Sequence, residues 1–312
     1  MSAVTLIAAF AAFAAAAAFG LLGPVLATRL PPRHATWLLS VGAALASLSC
    51  LTVLSLFGFV LVGQFPAIAE AGHWSPTVLR ENALVKPGVE AASVIAVLAA
   101  GASVVTSGAR RGLALLAAHR TCKGLATPSE LVVLDDAPAA AVAVPGRPGR
   151  IVVARCVLTA LGRDERRALL AHERAHLDHG HHWHSSAVSL AVAANPLLTP
   201  LRAAIGRAVE RWADEVAAQR VGDRRVVATA LARAALAAPH SPRTEPLLAA
   251  AEIGVSARIA ALLLPPQRPR PGLLWVAGAL LFAGVLAGVV AEKETEHLFE
   301  FAGRTYQATH GQ

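Results

Sequence analysis

Charged residues are scarce in this sequence. Only 15% of its 312 residues are Asp, Glu, Lys or Arg, whereas soluble globular proteins carry about 25%. Hydrophobic residues make up 55%, and the mean hydropathy is +0.54. A chain this apolar is not a disordered one, because disorder needs low hydrophobicity and high net charge. The lack of charge equally argues against a purely cytosolic protein.

Cysteines and aromatic residues are also few. There are three cysteines, Cys50, Cys122 and Cys156. A number this small and odd does not indicate a disulfide framework. None belongs to a recognisable motif with a histidine, so we do not predict a cysteine nucleophile. We expect Cys122 and Cys156 to be packed as small apolar residues.

The few charges are unbalanced, with 28 Lys and Arg against 20 Asp and Glu, a net charge of +8. A basic chain binds nucleic acid or anionic lipid. No basic stripe interleaved with aromatic residues is present, so the sequence predicts no direct contact with nucleic acid.

The apolar residues are concentrated in four runs without a charged residue, at 4–27, 37–62, 91–107 and 272–291. A membrane-spanning helix needs about 20 such residues. The first run is long for a signal peptide and no Lys or Arg precedes it, so an uncleaved span is favoured over a cleaved leader. The sequence thus predicts a polytopic, mainly α protein with four transmembrane helices.

Lys and Arg flank these runs on one side of the membrane. They occur at 29–33, at 110–123 and at 268–270, whereas the tail after residue 291 is acidic. The positive-inside rule then places 108–271 in the cytoplasm as a separate domain and both termini outside, with 292–312 as a short extracytoplasmic tail. We expect an integral protein of a bacterial-type plasma membrane, in contact with the lipid bilayer, and make no prediction of oligomeric state.

The predicted cytoplasmic domain is of α+β class. Three short β-type runs occur at 131–134, 140–144 and 151–153, and a helix follows that carries His172, Glu173 and His176 in an HExxH pattern. Histidines four residues apart on a helix share a face, so both reach one metal, with Glu173 beside them as a general base. A solvated His/Glu face is the simpler alternative for an isolated match.

A pair of acidic residues further along the chain offers the third metal ligand that the HExxH pattern lacks. Glu210 and Asp214 are also four residues apart, on a helix-compatible stretch. Two histidines and one Glu form the ligand set of many zinc hydrolases, and a nearby carboxylate accepts the free N–H of a ligand histidine. We predict one Zn²⁺ per chain, bound by His172, His176 and Glu210 and supported by Asp214.

The apolar segment 185–201 lies between these two halves of the site. A single membrane crossing there would separate His176 from Glu210 by the bilayer. Asn195-Pro196 and Pro200 also interrupt the segment. We expect a helix and turn that lie on the membrane, dip into it or pack in the core, and a re-entrant hairpin stays open.

With these motifs the chain resembles the BlaR/MecR family of integral-membrane zinc peptidases and, more distantly, the HtpX and CAAX prenyl protease group. The resemblance rests on His172-Glu-Arg-Ala-His176, Asn195-Pro196, Glu210-Arg-Trp-Ala-Asp214 and the arrangement of the spans. It implies a zincin-like, gluzincin-type fold in which Glu173 is the catalytic base. It also implies that substrate adds in β-fashion to an edge strand at Ala140, Val142 and Val144. About 20 residues follow Ala291 and no SxxK motif occurs, so the family's penicillin-sensing domain is not expected.

The group that stabilises the oxyanion is not evident from the sequence. The single tyrosine, Tyr306, lies in the predicted outer tail. The candidates are Arg220, Arg224, His179, His182 and His184. We read the cluster His179, His181, His182 and His184 as a polar helix end at the membrane surface rather than as a second metal site.

The predicted function is that of a zinc metalloendopeptidase whose protein substrate is cytoplasmic or membrane-proximal, such as a transcriptional repressor in signal transduction. A quality-control peptidase for membrane proteins is the first alternative. A catalytically silent receptor or scaffold is the second, and it does not require His172, Glu173, His176 and Glu210 to be kept together. A transporter is weaker still, because none of the four apolar runs carries an ionisable residue.

Overall fold

The computed structural model describes residues 3–83, 85–124, 130–135, 140–146, 148–238 and 245–310. Twelve helices and three strands are found in this part of the chain: α1 Ala3–Arg29, α2 Pro32–Gly63, α3 Pro66–Gly72, α4 Pro76–Glu81, α5 Pro87–Gly124, β1 Leu131–Leu134, β2 Ala141–Val144, β3 Arg150–Ala154, α6 Arg155–Ala160, α7 Arg163–Asp178, α8 His181–Ala194, α9 Leu201–Val221, α10 Arg224–Ala237, α11 Glu245–Leu263 and α12 Pro271–His310.

Four of these helices, α1, α2, α5 and α12, are long and apolar enough to cross a membrane. They contain the four apolar runs seen in the sequence. Helices α1, α2 and α12 pack against one another, and α5 packs on α2. The fold is therefore mainly helical, with a membrane-type bundle and one small sheet.

Two of these helices are longer than the apolar runs predicted. Helix α5 continues past Arg110 to Gly124, and α12 continues from the predicted span through the predicted tail to His310. In that continuation Leu298 and Ala302 are buried against Leu79 of α4. Hydropathy marks only the apolar part of a helix, so it missed the polar turns that extend α5 and α12.

The sheet has strand order β1-β3-β2, with β1 parallel and β2 antiparallel to β3. The predicted strands are thus confirmed, and β2 is an edge strand. The N–H of Ala154 donates to the carbonyl oxygen of Ala140 at 3.0 Å. Because bonding alternates along an antiparallel pair, residues 140, 142 and 144 bond to β3. The backbone groups at the open edge therefore belong to Ala141 and Ala143, not to the three residues named from the sequence.

Helix α7 lies between this sheet and helices α9 and α10. Small side chains make the close contact: Ala168 and Ala171 of α7 are buried with Ala217 of α9 and with Ala230 of α10. Where the helix begins, the Glu165 carboxylate accepts a hydrogen bond from the Gly162 N–H at 2.8 Å. Its central turns are therefore rigidly supported on two sides.

Helices α8 and α9 form a hairpin, joined by a 3-10 turn at Pro196–Leu198, that inserts beside α1 and α2. Along α2, His184 contacts Ser40 and the Ala191 carbonyl accepts from Ser47. On the return, Leu201 lies against Gly23 of α1. Because the chain enters and returns on the same side of the bundle, segment 185–201 is a hairpin and not a crossing.

The tip of the hairpin approaches α1 so closely that one position requires glycine. A Cβ atom at Gly20 would lie 2.2 Å from the carbonyl oxygen of Leu197. The turn itself is held by Asn195, whose side-chain oxygen accepts from the Leu197 N–H at 3.1 Å. Residues 108–271 are therefore tied to the membrane-type helices through this hairpin.

The cysteines differ from expectation. Cys50 is buried in α2, whereas Cys156 is exposed rather than packed. The side chain of Cys122 lies outside the part of the structure that is described.

Candidate active site

Helix α7 places two imidazoles side by side. The Nε2 atoms of His172 and His176 are 3.1 Å apart, as the four-residue spacing predicts. Both histidines are mostly buried, and Glu173 between them is 7% exposed. One face of a single helix thus carries the two histidines and an adjacent carboxylate.

Helix α9 brings Glu210 to the same point. Its carboxylate oxygens lie 3.4 Å from His172 Nε2 and 3.6 Å from His176 Nε2. Bonds of 2.0–2.2 Å at a tetrahedral Zn²⁺ would set its ligand atoms about 3.3 Å apart. The three separations are close to that edge length, the two from Glu210 running to its two different oxygens, and the donor set is the one typical of zinc. His172, His176 and Glu210 could therefore hold a metal ion, with the Arg258 guanidinium 3.4 Å from His172 Nε2 and 2.9 Å from Glu210.

Asp214 lies one turn after Glu210 and orients His172. Its Oδ1 is 3.0 Å from His172 Nδ1, and the residue is 3% exposed. A carboxylate that accepts the Nδ1–H of a histidine directs Nε2 toward a metal. This is the role that the sequence predicts for Asp214.

His181 has the same relation to the second histidine. Its Nδ1 is 3.0 Å from His176 Nδ1, and it is the first residue of α8, after Gly180 in the left-handed conformation. Burial, and then the neighbouring histidines, lower the pKa of His181 to about 3, so its imidazole is neutral. When Nε2 of His176 faces a metal, its Nδ1–H can donate a hydrogen bond to His181 Nδ1. Two members of the cluster predicted to form a polar helix end are buried in the fold: His181 and His184 are 2% and 9% exposed.

Arg258, on α11, is the functional residue that sequence reasoning missed. Its guanidinium donates to both oxygens of Asp214, at 2.8 and 2.7 Å, and lies 2.9 Å from Glu210. It comes far later in the chain than the motifs. The sequence did contain a signal for it: Arg258 is the only charged residue in the apolar helical stretch Gly254–Leu263.

The charges of the site are strongly coupled. Burial disfavours charge on His172, but hydrogen bonds to Asp214 and Glu210 outweigh this and raise its pKa to about 9. For Glu210, burial is likewise outweighed, by His172 and Arg258, and its pKa falls to about 2. Burial raises the pKa of Glu173, which makes its carboxylate a stronger base.

The structure removes most of the oxyanion candidates from the site. Arg220 pairs with Asp178 at 2.6 Å, and Arg224 binds Glu215 and two carbonyl groups of α11. His179 stacks on Trp212, and His184 bonds to Ser40. Neither arginine lines the cleft, and Arg224 belongs to α10 rather than to α9. Of the predicted group only His182 lines it, together with Arg258.

The cleft over these residues has a volume of about 480 Å³. Strand β2 forms one wall from Ala141 to Ala143, and α10 forms another. The backbone N–H of Ala143 bonds to the Glu173 carboxylate. The open edge of the sheet and the candidate base therefore face the same space, where an extended peptide can lie.

Comparison with known proteins adds one finding. Residues 118–198 match the profile of peptidase family M48. The matched segment contains His172, Glu173, His176 and the hairpin turn, but it ends before α9. No curated protein and no solved structure matches the chain. The match supports a metallopeptidase. Glu210, Asp214 and Arg258 lie outside the matched segment, and the structure brings them next to its histidines.

Proposed function

We propose that this protein is a membrane-anchored, zinc-dependent endopeptidase. The observation that supports this most is the convergence of His172, His176 and Glu210 beside a buried Glu173, under an open strand edge. A solvated face of charged residues would show none of this burial. The match to family M48 is independent support from the sequence of one half of the site.

The metal would be held by His172, His176 and Glu210. Zinc bound there supplies a Lewis acid that polarises a carbonyl and lowers the pKa of a water ligand to about 7. Asp214 bonds to Nδ1 of His172, and His181 bonds to Nδ1 of His176. The Nε2 atoms of both histidines would then carry the lone pairs that bind the metal. The protein's own contribution is therefore to hold each histidine in the tautomer that a metal requires.

Glu173 acts as general base and then as general acid. It takes a proton from the attacking water and passes it to the leaving amine of the scissile bond. Its buried position and raised pKa favour this proton transfer. His182 lines the cleft and can donate a hydrogen bond to the developing oxyanion, whereas the Arg258 guanidinium is engaged with Asp214 and Glu210.

The substrate would bind as an added strand. Backbone groups of Ala141 and the carbonyl oxygen of Ala143, whose N–H is already bonded to Glu173, would pair with an extended peptide at the edge of β2 and lay it across the cleft. The cleft lies close to the membrane-type helices. The ring of Trp212, two residues after Glu210 on α9, is 5.9 Å from that of His184 on α8, and the His184 ring is 4.7 Å from that of Trp37 on α2. We therefore propose a protein substrate that is cleaved at the membrane surface, either a cytoplasmic regulator such as a repressor or a membrane protein.

Metal analysis of detergent-purified protein tests the proposal. We expect about one zinc per chain and proteolysis in the wild type, zinc without proteolysis in Glu173→Gln, and neither in His172→Ala. A wild-type protein that takes up no zinc and cleaves nothing would contradict the proposal. It would favour a silent scaffold instead.

The site is proposed to face the cytoplasm, as the positive-inside rule predicts. The exposed Cys156 offers a direct test in a Cys122→Ser background, since Cys50 is buried. A membrane-impermeant maleimide should label Cys156 only after cells are permeabilised. Equal labelling of intact cells would contradict the proposed orientation and place the site outside the cell.

A further inference from the structure

Two arginines converge where the α8–α9 hairpin meets α5. Helix α8 packs closely on α5 here, since the Leu190 side chain lies 3.8 Å from the position of a Cβ atom at Gly108. About one turn further along α5, Arg111 donates a hydrogen bond to the Ser189 hydroxyl of α8. Arg202, in the first turn of α9, lies near enough for its positive charge to act on Arg111. We call Arg111 and Arg202 the arginine pair.

The helices around the arginine pair supply no acid to balance it. Helices α1, α2 and α8 contain no Asp or Glu. The single acid of α5, Glu90, lies about 31 Å along the helix from Arg111. The first acid of α9 is Glu210, about 12 Å along the helix from Arg202, and it pairs with Arg258. Within the described part of the chain, the two like charges therefore lie side by side without a counter-charge.

The arginine pair lies alongside the apolar helices and not beyond their ends. Leu201, the neighbour of Arg202, contacts Gly23 of α1. That contact is about 9 Å along α1 before the helix ends at Arg29. Arg202 is exposed at the protein surface, so in a membrane it faces lipid. A charged side chain at this depth is costly unless it reaches a headgroup or a counter-charge.

The start of α9 adds a third positive contribution. The residue before the helix, Pro200, provides no side-chain hydrogen bond to the first N–H groups, and the first turn contains no acid. The N-terminus of a helix carries a partial positive charge, so Arg202 is unfavourable there unless an anion joins it. Arg111 is held in place by Ser189, which is 6% exposed, and a guanidinium has further N–H groups to donate.

We propose that the arginine pair binds the phosphate of an anionic phospholipid, in the leaflet on the side of the 108–271 domain. A phosphate there accepts charge-assisted hydrogen bonds from both guanidinium groups and relieves their repulsion. Its acyl chains can lie along the exposed apolar side chains of α5, among them Leu98 and Val105. The inference goes beyond the proposed peptidase function and does not depend on it.

Lipid binding to the detergent-purified full chain tests the inference. The anionic probe is phosphatidylglycerol and the zwitterionic probe is phosphatidylcholine, and native mass spectrometry counts the lipids that stay bound. Each arginine near a headgroup contributes about 5-fold in affinity, so we expect phosphatidylglycerol to bind roughly 25-fold more tightly than phosphatidylcholine. Excess inorganic phosphate should not displace it, because free phosphate lacks the acyl chains.

Three substitutions connect the binding to the arginine pair. Arg202→Gln should weaken phosphatidylglycerol binding about 5-fold without disturbing the fold, since the residue is exposed. Arg111→Gln should have a similar effect, and its amide can still donate to Ser189. Arg120→Gln is the matched control, because it removes an exposed charge further along the same helix and should leave binding unchanged.

Several results would overturn the lipid assignment. Equal affinity for the two phospholipids would do so, and so would wild-type binding by both Arg202→Gln and Arg111→Gln. An equal loss in Arg120→Gln would show that the attraction is a general effect of surface charge. Displacement by inorganic phosphate would show that the pair holds a free anion and not a lipid. None of these measurements uses proteolysis, so the inference and the peptidase function fail separately.

Discussion

Replacement of Arg258 by Met should destabilise the protein although the residue lies far from the HExxH motif. Met keeps most of the side-chain volume and removes the charge. The substitution leaves the Asp214 carboxylate with His172 as its remaining partner among the described residues. It also removes the cation that lies 2.9 Å from Glu210.

The expected size follows from burial. The side chains of Arg258 and Asp214 are 16% and 4% exposed, and breaking a buried pair from one side costs about 3–5 kcal/mol. Because His172 still neutralises Asp214, we expect the lower end, about 3 kcal/mol. The midpoint of thermal unfolding should then fall by roughly 6–12 °C.

The measurement is thermal unfolding in detergent after chelation, so that metal binding does not mask the change. Arg220→Met is the matched control, since Arg220 pairs with Asp178 at the surface with both side chains about 40% exposed. An exposed pair contributes about 0–1 kcal/mol. The double variant Arg258→Met with Asp214→Asn completes a cycle in which the two losses should not add.

Equal unfolding midpoints for the Arg258 and Arg220 variants would refute this reasoning. So would strictly additive losses in the double variant. Either result would mean that water reaches the Arg258–Asp214 pair and weakens it, and that the pair does not organise the site.

Two further predictions concern the hairpin and the site histidines. Gly20→Ala should destabilise the protein by about 1–3 kcal/mol and reduce proteolysis, because its Cβ meets the Leu197 carbonyl, whereas Gly101→Ala has open space and should change neither the melting temperature nor activity. In the metal-free protein, burial lowers the pKa of His176 to about 4 and that of His181 to about 3, below the unfolded value of about 6.5. The unfolded chain therefore binds protons first, and each histidine should cost about 1.4 kcal/mol per pH unit as the pH falls from 6.5 toward 4. A melting temperature that stays constant between pH 7 and pH 5 would contradict the burial of both histidines.

Local patterns predicted the HExxH half of the candidate site. His172, Glu173 and His176 lie within one helical turn, so the helix alone decides that they share a face, and the same holds for Glu210 and Asp214. The partnership of these two helices was an inference from zinc chemistry, which needs a third ligand. In the structure the two helices meet as that chemistry requires.

Ion pairs outside the cleft decided against the two arginines. Arg220 and Arg224 are close to Glu210 in sequence, yet both side chains are bound by acids outside the cleft. Arg258 is distant in sequence and reaches the site only because α11 packs beside α9. The edge strand shows the same limit, since alternation alone does not say which residues face the open edge until the partner strand is known.

The sequence by itself determined the membrane-type helices and the two residue pairs of the candidate metal site, because hydropathy and a spacing of four residues act within one element. Only the tertiary structure decided that segment 185–201 is a hairpin, and that His181 and Arg258 bond to residues of the candidate site. Those features depend on contacts between residues tens of positions apart, and such contacts are set by packing of whole helices. Scarcity of charge thus identified the membrane protein, whereas the placement of its few buried charges identified the site.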